Sequence, residues 1–166
     1  MLSIWYIKHI LLRIMLHQIS QNCSAQKIQG GVSIDKRGQI RYVNDFDMSL
    51  VKRFYIIKNS DTELIRGWRA HKVEQRWFYL LSGSFELNIV KIDNWANPSV
   101  DLDIETIKLS ADELQVIHLQ AGYGTAFRAL EENSELLVFA DYGVEHAAFD
   151  DYTWPVDYFQ IEEVLV

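Results

Sequence analysis

The chain has 166 residues, 49% hydrophobic and 23% charged, with two Pro and eight Gly; this suits one compact domain and excludes a disordered or low-complexity chain. A formal net charge of -7 speaks against nucleic acid as a partner, because phosphate binding needs a basic surface. The single Cys23 rules out an internal disulfide and a multi-cysteine metal site, and a reducing, cytoplasmic location follows.

Residues 1–16 read MLSIWYIKHILLRIML. Lys8, His9 and Arg13 interrupt the apolar run, so it is too short and too charged to span a bilayer and lacks the order of a signal peptide. Ile4, Ile7, Leu11, Ile14 and Ile19 fall near helical spacing, which allows an amphipathic helix. The favoured reading is an extension from an upstream start codon, with Met15 as another start. Residues 1–30 are set apart on this ground, and 31–166 are taken as one domain.

From about residue 30 the pattern turns to period two. Gln39, Ile40, Arg41, Tyr42 and Val43 alternate, and residues 51–57 form a short apolar run. Residues 77–81 are apolar throughout, as in a strand buried on both faces. Ser82-Gly83-Ser84 is a tight turn, after which Phe85, Leu87 and Ile89 alternate with Glu86 and Asn88, giving a hairpin. Strands follow at 104–109, 114–119, 125–130 and 135–142, separated by polar or glycine-containing bends. Many short strands and few helical patterns predict an all-β sandwich or barrel. The aromatic, acidic tail from residue 145 is expected to cover it as a loop and a short helix.

The segment Arg66-Gly67-Trp68-Arg69-Ala70-His71-Lys72-Val73-Glu74-Gln75 carries the most chemistry. On a strand, side chains two apart share a face, so Arg69, His71, Val73 and Gln75 point one way and Trp68, Ala70 and Lys72 the other. Arg, His and Gln facing a small barrel's interior imply a solvated cavity or a ligand. The competing reading makes that face solvent and the Trp68 face core; Lys72 speaks against it.

In order and spacing these motifs resemble the sugar epimerase and ketoisomerase branch of the cupins. That branch includes the 3,5-epimerase of dTDP-rhamnose synthesis and the 3,4-ketoisomerases of related deoxysugar pathways. Asp35-Lys36-Arg37-Gly38 is similar to the family's D-x-R-G. The stretch 66–72 is similar to R-G-x-H-A-H-K, residues 80–85 to the L-x-G-S hairpin, residues 119–127 to I-P-x-G-x-x-H-G-F, and Asp141-Tyr142 to the closing D-Y. The resemblance covers residues 34–159. It implies a cupin jelly-roll β-barrel of the RmlC-like type and a nucleotide-linked 4-keto sugar as ligand. It also implies a cytoplasmic homodimer built by strand exchange, to which the aromatic tail would add apolar surface. The implied chemistry is removal of a proton beside the ketone by a histidine, with cations on the enolate and a tyrosine that returns a proton.

The sequence departs from that pattern at both histidine positions. The first His of H-x-H is Arg69, whose guanidinium stays protonated and cannot abstract a proton. His71 is the remaining candidate base, Tyr142 the candidate acid by family position, and Arg69 a cation for the enolate or a phosphate. Thr125 replaces the second histidine. Arg66, Gln75, Arg37, Lys72 and Tyr123 are the candidate substrate-binding residues, with Arg41 and Arg53 as further possible phosphate contacts. His118 is read as structural. With His71 and at most Glu74 left as ligands, no metal and no cofactor are expected. Three readings stay open: an epimerase or 3,4-ketoisomerase of a dTDP-4-keto-6-deoxyhexose in surface polysaccharide biosynthesis, a nucleotide-sugar-binding cupin without turnover, and an accessory protein of a larger assembly.

Overall fold

The computed structural model describes residues 24–160, so the expected helix or extension over residues 1–16 lies outside the described residues. The strands are β1 (Ala25–Gln29), β2 (Gly31–Asp35), β3 (Gly38–Tyr42), β4 (Arg53–Ile57), β5 (Ile65–His71), β6 (Arg76–Ser82), β7 (Ser84–Lys91), β8 (Ile104–Ser110), β9 (Gln115–Leu119), β10 (Tyr123–Ala129), β11 (Glu135–Ala140) and β12 (Tyr152–Thr153). One short helix, α1 (Val144–Ala147), precedes β12. Two five-stranded sheets, ordered β1-β9-β6-β11-β4 and β12-β5-β10-β7-β8, close on each other, with β2-β3 as a separate ribbon. Every strand pairing among the described residues is antiparallel. This is the all-β jelly roll of a cupin.

Alternation builds the core. Phe78 and Leu80 of β6, Phe85, Leu87 and Ile89 of β7, Ile117 and Leu119 of β9, Phe127 of β10 and Leu136 and Val138 of β11 are all buried in one cluster between the sheets. A second cluster lies on the outer side of β5 and β10. There Trp68, Ala70, Val90, Ile92 and Ala126 are covered by Phe159, with Tyr152, Trp154 and Tyr158 packed against them. Phe149 is 80% exposed, while Tyr152, Trp154, Tyr158 and Phe159 of the tail pack on their own sheet. Trp68 and Ala70 are buried for this reason, while on the other face Arg69 is exposed and His71 buried. Both readings of the Trp68–His71 alternation therefore hold in part: one face is core, and the other is open at Arg69 and enters the barrel interior at His71.

Other departures are local. β1 starts before the boundary drawn at residue 31 and pairs with β9 from Ala25↔Leu119 to Gln29↔Gln115, so the sheet takes in residues that the sequence set apart. β5 ends at His71, so Val73 and Gln75 leave the strand and do not share its face. Leu81 is 37% exposed at the end of β6, so that strand is not buried throughout on both faces.

The β6–β7 turn depends on Gly83, whose φ is 68°. A Cβ there would collide with Ser134 Oγ, and that hydroxyl accepts from Ser84 N–H at 3.1 Å. Gly83→Ala is expected to cost about 1–3 kcal/mol in urea unfolding, through the left-handed φ and this clash.

Candidate functional site

The site forms where β4, β5 and β6 come together at one side of the barrel. A cleft of about 620 Å³ is lined by Tyr55 and Lys58 from the β4 region, Arg66 and Arg69 from β5, Arg76 from β6 and Phe127 from β10, among others. Strict alternation would place Arg66 and Arg69, three residues apart, on opposite faces of β5. A bulge prevents this: the β5–β10 register runs Arg69↔Thr125 and then Arg66↔Phe127. The extra residue on β5 resets the parity, and both guanidinium groups line the cleft. Arg69 is half-exposed and pairs with Asp151 through Nε at 2.9 Å.

Arg76 is the deepest cation. It is 3% exposed, it lies near Tyr55, which favours its charged form, and it sits 5.5 Å from the Phe78 ring centroid. Its Nη2 is buried with no hydrogen-bond partner among the described residues. Burial pulls its pKa below the usual guanidinium value, opposed by Tyr55 and Glu74. The group remains charged, since arginine does not deprotonate in proteins.

Behind it lies His71, opposite Tyr123 in the β5–β10 register. Nδ1 is 2.6 Å from the Asp150 backbone carbonyl. A carbonyl only accepts, so Nδ1 carries the proton and Nε2 is the basic nitrogen. Nε2 is 3.5 Å from Glu74 Oε1, and neither atom has another partner among the described residues. Burial first, and then the Arg76 charge, pull the imidazole down to about 4. Burial pushes the Glu74 carboxyl up, while Arg53 Nη2 donates to its Oε2 at 2.6 Å.

The turn between β5 and β6 is held by Asp150. Its carboxylate accepts from the backbone N–H of Lys72 (2.7 Å), Val73 (3.0 Å) and Glu74 (2.7 Å). Asp150, three residues past the end of α1, therefore fixes both the His71 ring, through its carbonyl, and the Glu74 backbone, through its side chain.

The sequence-predicted residues divide. Arg66 and Arg69 come together in the cleft; His71 is not among its lining residues and lies buried behind it, within electrostatic reach of Arg69, with Tyr123 opposite it on β10. Gln75 is occupied: its side-chain amide donates to Asp141 Oδ2 at 3.1 Å, and its Oε1 accepts from His118 Nε2 at 2.9 Å. His118 also stacks on Trp77 at 4.8 Å, as a structural residue does. Lys72 is exposed and does not line the cleft. Arg37 is in the exposed β2–β3 turn, paired with Asp35 at 2.6 Å, and is not brought to the cleft. The Tyr142 ring lies against His146 at 5.6 Å, while its carbonyl accepts from Arg53 Nε at 3.0 Å; the phenol that lines the cleft is Tyr55. Sequence reasoning missed Arg76, Tyr55 and Asp150 and gave Glu74 only a passing metal role. A charged residue opening an apolar run, Arg76 before residues 77–81, was the available signal for the first of them. Among the described residues no three His, Cys, Asp or Glu side chains gather where they could hold a metal ion.

No protein-family model matches the chain, and no curated protein sequence matches it. Solved structures do. A variant of the 3,4-ketoisomerase QdtA from Thermoanaerobacterium thermosaccharolyticum, in complex with TDP-4-keto-6-deoxyglucose, superposes with a TM-score of 0.60 at 22% identity, over 78% of this chain and 86% of that one. The RmlC epimerase of Mycobacterium tuberculosis gives 0.63 at 17% identity, over 80% and 69%. A dTDP sugar isomerase from Desulfovibrio desulfuricans gives 0.67 at 12% identity, over 83% and 89%.

Proposed function

We propose, on the premise that this chain has the cupin fold of the dTDP-sugar ketoisomerases and epimerases, that it is a cofactor-independent isomerase of a dTDP-4-keto-6-deoxyhexose. It would act in the cytoplasm, as an epimerase or 3,4-ketoisomerase, in deoxysugar or surface polysaccharide biosynthesis. The observation that carries this reading is the buried set His71, Glu74 and Arg76 set into an apolar barrel beside a cationic cleft. Buried polar atoms without partners are costly, and they persist where function requires them.

In the proposed reaction the diphosphate meets Lys58, Arg66 and Arg69 at the outer part of the cleft. The keto sugar reaches inward to Arg76. His71 Nε2 takes the proton from the carbon beside the ketone, and the electron pair moves to the carbonyl oxygen, where Arg76 Nη2 meets the enolate charge. Return of a proton to the opposite face of the same carbon gives epimerisation; return to the neighbouring carbon shifts the ketone. Tyr55, which lines the cleft, and Tyr142, named by the resemblance, are the candidate donors.

A second reading, a cupin that binds the nucleotide sugar without turnover, is favoured by one observation: His71 has a protein group at each ring nitrogen, and the cleft wall itself presents cations and a phenol but no base. A homodimer is proposed with either reading. The apolar surface for it is on the β2–β3 ribbon and β4, where Val32, Ile34, Ile40, Tyr42, Phe54 and Ile56 are exposed. No helix among the described residues is long and apolar enough to cross a membrane.

The test is deuterium exchange by NMR with a dTDP-4-keto-6-deoxyhexose in D2O. Deuterium entering at C3 alone supports a 3-epimerase or 3,4-ketoisomerase, and entry at C3 and C5 a 3,5-epimerase. His71→Ala is expected to slow entry by about 10²–10⁴-fold; full activity in that variant removes His71 as the base. Ligand broadening without exchange in the wild type establishes the binding reading, and neither signal rejects the ligand class.

A further inference from the structure

We propose that Asp151 is a positioning residue for Arg69: from the rim of the cleft its carboxylate holds the guanidinium so that the Nη1–Nη2 edge is presented to the diphosphate of the ligand. This rests on the reading of Arg69 as a phosphate contact, and it deepens that reading.

The two residues stand on a fixed frame. Arg69 lies within β5, in register with Thr125 of β10 and Thr153 of β12. Asp151 directly precedes β12, whose Tyr152 and Thr153 pair with Ala70 and Arg69. Beyond that pair, Trp154 N–H donates to the Trp68 carbonyl at 3.1 Å. On the other side of Asp151 stands Asp150, whose carboxylate is tied to three backbone amides of the β5–β6 turn. The backbone of Asp151 is therefore pinned from both directions. Only the two side chains are left to choose a conformation, and they meet at 2.9 Å, Arg69 Nε to Asp151 Oδ1.

The side from which Asp151 approaches decides its role. A guanidinium is a planar fork with a second edge, formed by its two terminal nitrogens, that matches two phosphate oxygens. Contact at Nε leaves that edge for the ligand. Arg69 and Thr153 line the cleft and Asp151 does not, so an arriving anion need not displace it. The Arg69 side chain is 56% exposed, and a long side chain that open to water gives up rotamer freedom when it binds. A partner that restricts it beforehand lowers that cost. Lys58 and Arg66 on the same wall would otherwise drive the guanidinium outward, since like charges repel. Lys58 has a looser hold of its own, Glu135 at 3.8 Å.

The test is isothermal titration of dTDP, and separately of inorganic pyrophosphate, into wild type, Asp151→Ala, Asp151→Asn, Arg69→Ala and the double variant Arg69→Ala/Asp151→Ala. Asp151→Ala is expected to weaken both anions about three- to tenfold. Asp151→Asn keeps an oxygen for Nε and should lie between it and wild type. In the Arg69→Ala background Asp151→Ala should add no further loss. Unchanged or tighter binding in Asp151→Ala overturns the proposal and makes Asp151 a competitor for the cation, and so does a loss that persists without Arg69. Should Asp151→Ala not fold, Asp151→Ser, too short to reach Nε, takes its place with the same outcomes. Wild-type affinity in Arg69→Ala defeats the phosphate contact itself, whereas a weakened Arg69→Ala beside an unaffected Asp151→Ala defeats only the positioning. Titration needs no turnover, so a wild type that binds dTDP but exchanges no deuterium defeats the isomerase reading while the role of Asp151 is still decided.

Discussion

Arg76→Met is expected to slow deuterium entry into a dTDP-4-keto-6-deoxyhexose by about 10²–10³-fold, the usual effect of removing one preorganised donor from a developing oxyanion. Affinity for dTDP itself should stay within about twofold, because the proposed phosphate contacts are Lys58, Arg66 and Arg69, nearer the opening. The distinction follows from depth. Arg76 is buried against Phe78 and Tyr55, where low polarity strengthens its charge toward an enolate, whereas Arg69 is half-exposed and already paired with Asp151. Isothermal titration with dTDP, alongside the exchange rate, separates the two roles. An Arg76→Met protein that loses dTDP affinity and keeps its exchange rate would assign Arg76 to the phosphates instead. Fold stability should not suffer greatly. Glu74 keeps its bond to Arg53, so the substitution does not leave a buried carboxylate alone, and an unmatched buried guanidinium is costly to keep.

Asp150→Ala is the second large effect, and it acts on stability. The carboxylate accepts from three consecutive backbone amides, at 2.7, 3.0 and 2.7 Å, and is 3% exposed as a residue. Losing it strands the Glu74 N–H in the interior and leaves those of Lys72 and Val73 to find water. Charge-assisted bonds of this kind contribute about 1.5–3 kcal/mol each, but exposure of two of the amides limits the sum to about 3 kcal/mol. For a chain of this size the thermal midpoint should fall by roughly 6–12 °C. Asp150→Asn, which keeps one acceptor oxygen, should lie between. A drop of less than about 2 °C in scanning calorimetry for Asp150→Ala would mean that the turn holds itself without the carboxylate. The ring of His71 is tied to the Asp150 carbonyl and not to its side chain. Loss of exchange activity beyond the loss of folded protein would therefore report displacement of the backbone there.

The sequence by itself determined the class of fold. Short alternating runs such as Phe85-Glu86-Leu87-Asn88-Ile89 bury one face of a strand regardless of which strand lies beside it, so period two survives as strands β7 to β11 nearly where the pattern placed them. It also determined that the segment from Arg66 to His71 is where an apolar barrel carries its polar side chains. Three things were decided only by tertiary structure. The β5 bulge, visible only in the pairing with β10, turned Arg66 to the same side as Arg69; alternation alone puts the two on opposite faces. Gln75, Tyr142 and Arg37 share motifs with the site, yet Tyr142 and Arg37 are taken by near neighbours, the His146 ring and the Asp35 carboxylate, and Gln75 by Asp141 and His118, partners so far away in sequence that they leave no periodic trace. Tyr55, Asp150 and the pair Glu74 and Arg76 come from three separate segments. Each looks ordinary among its neighbours, and only the closing of two sheets around them makes a buried guanidinium, a buried carboxylate and an imidazole answer to one another.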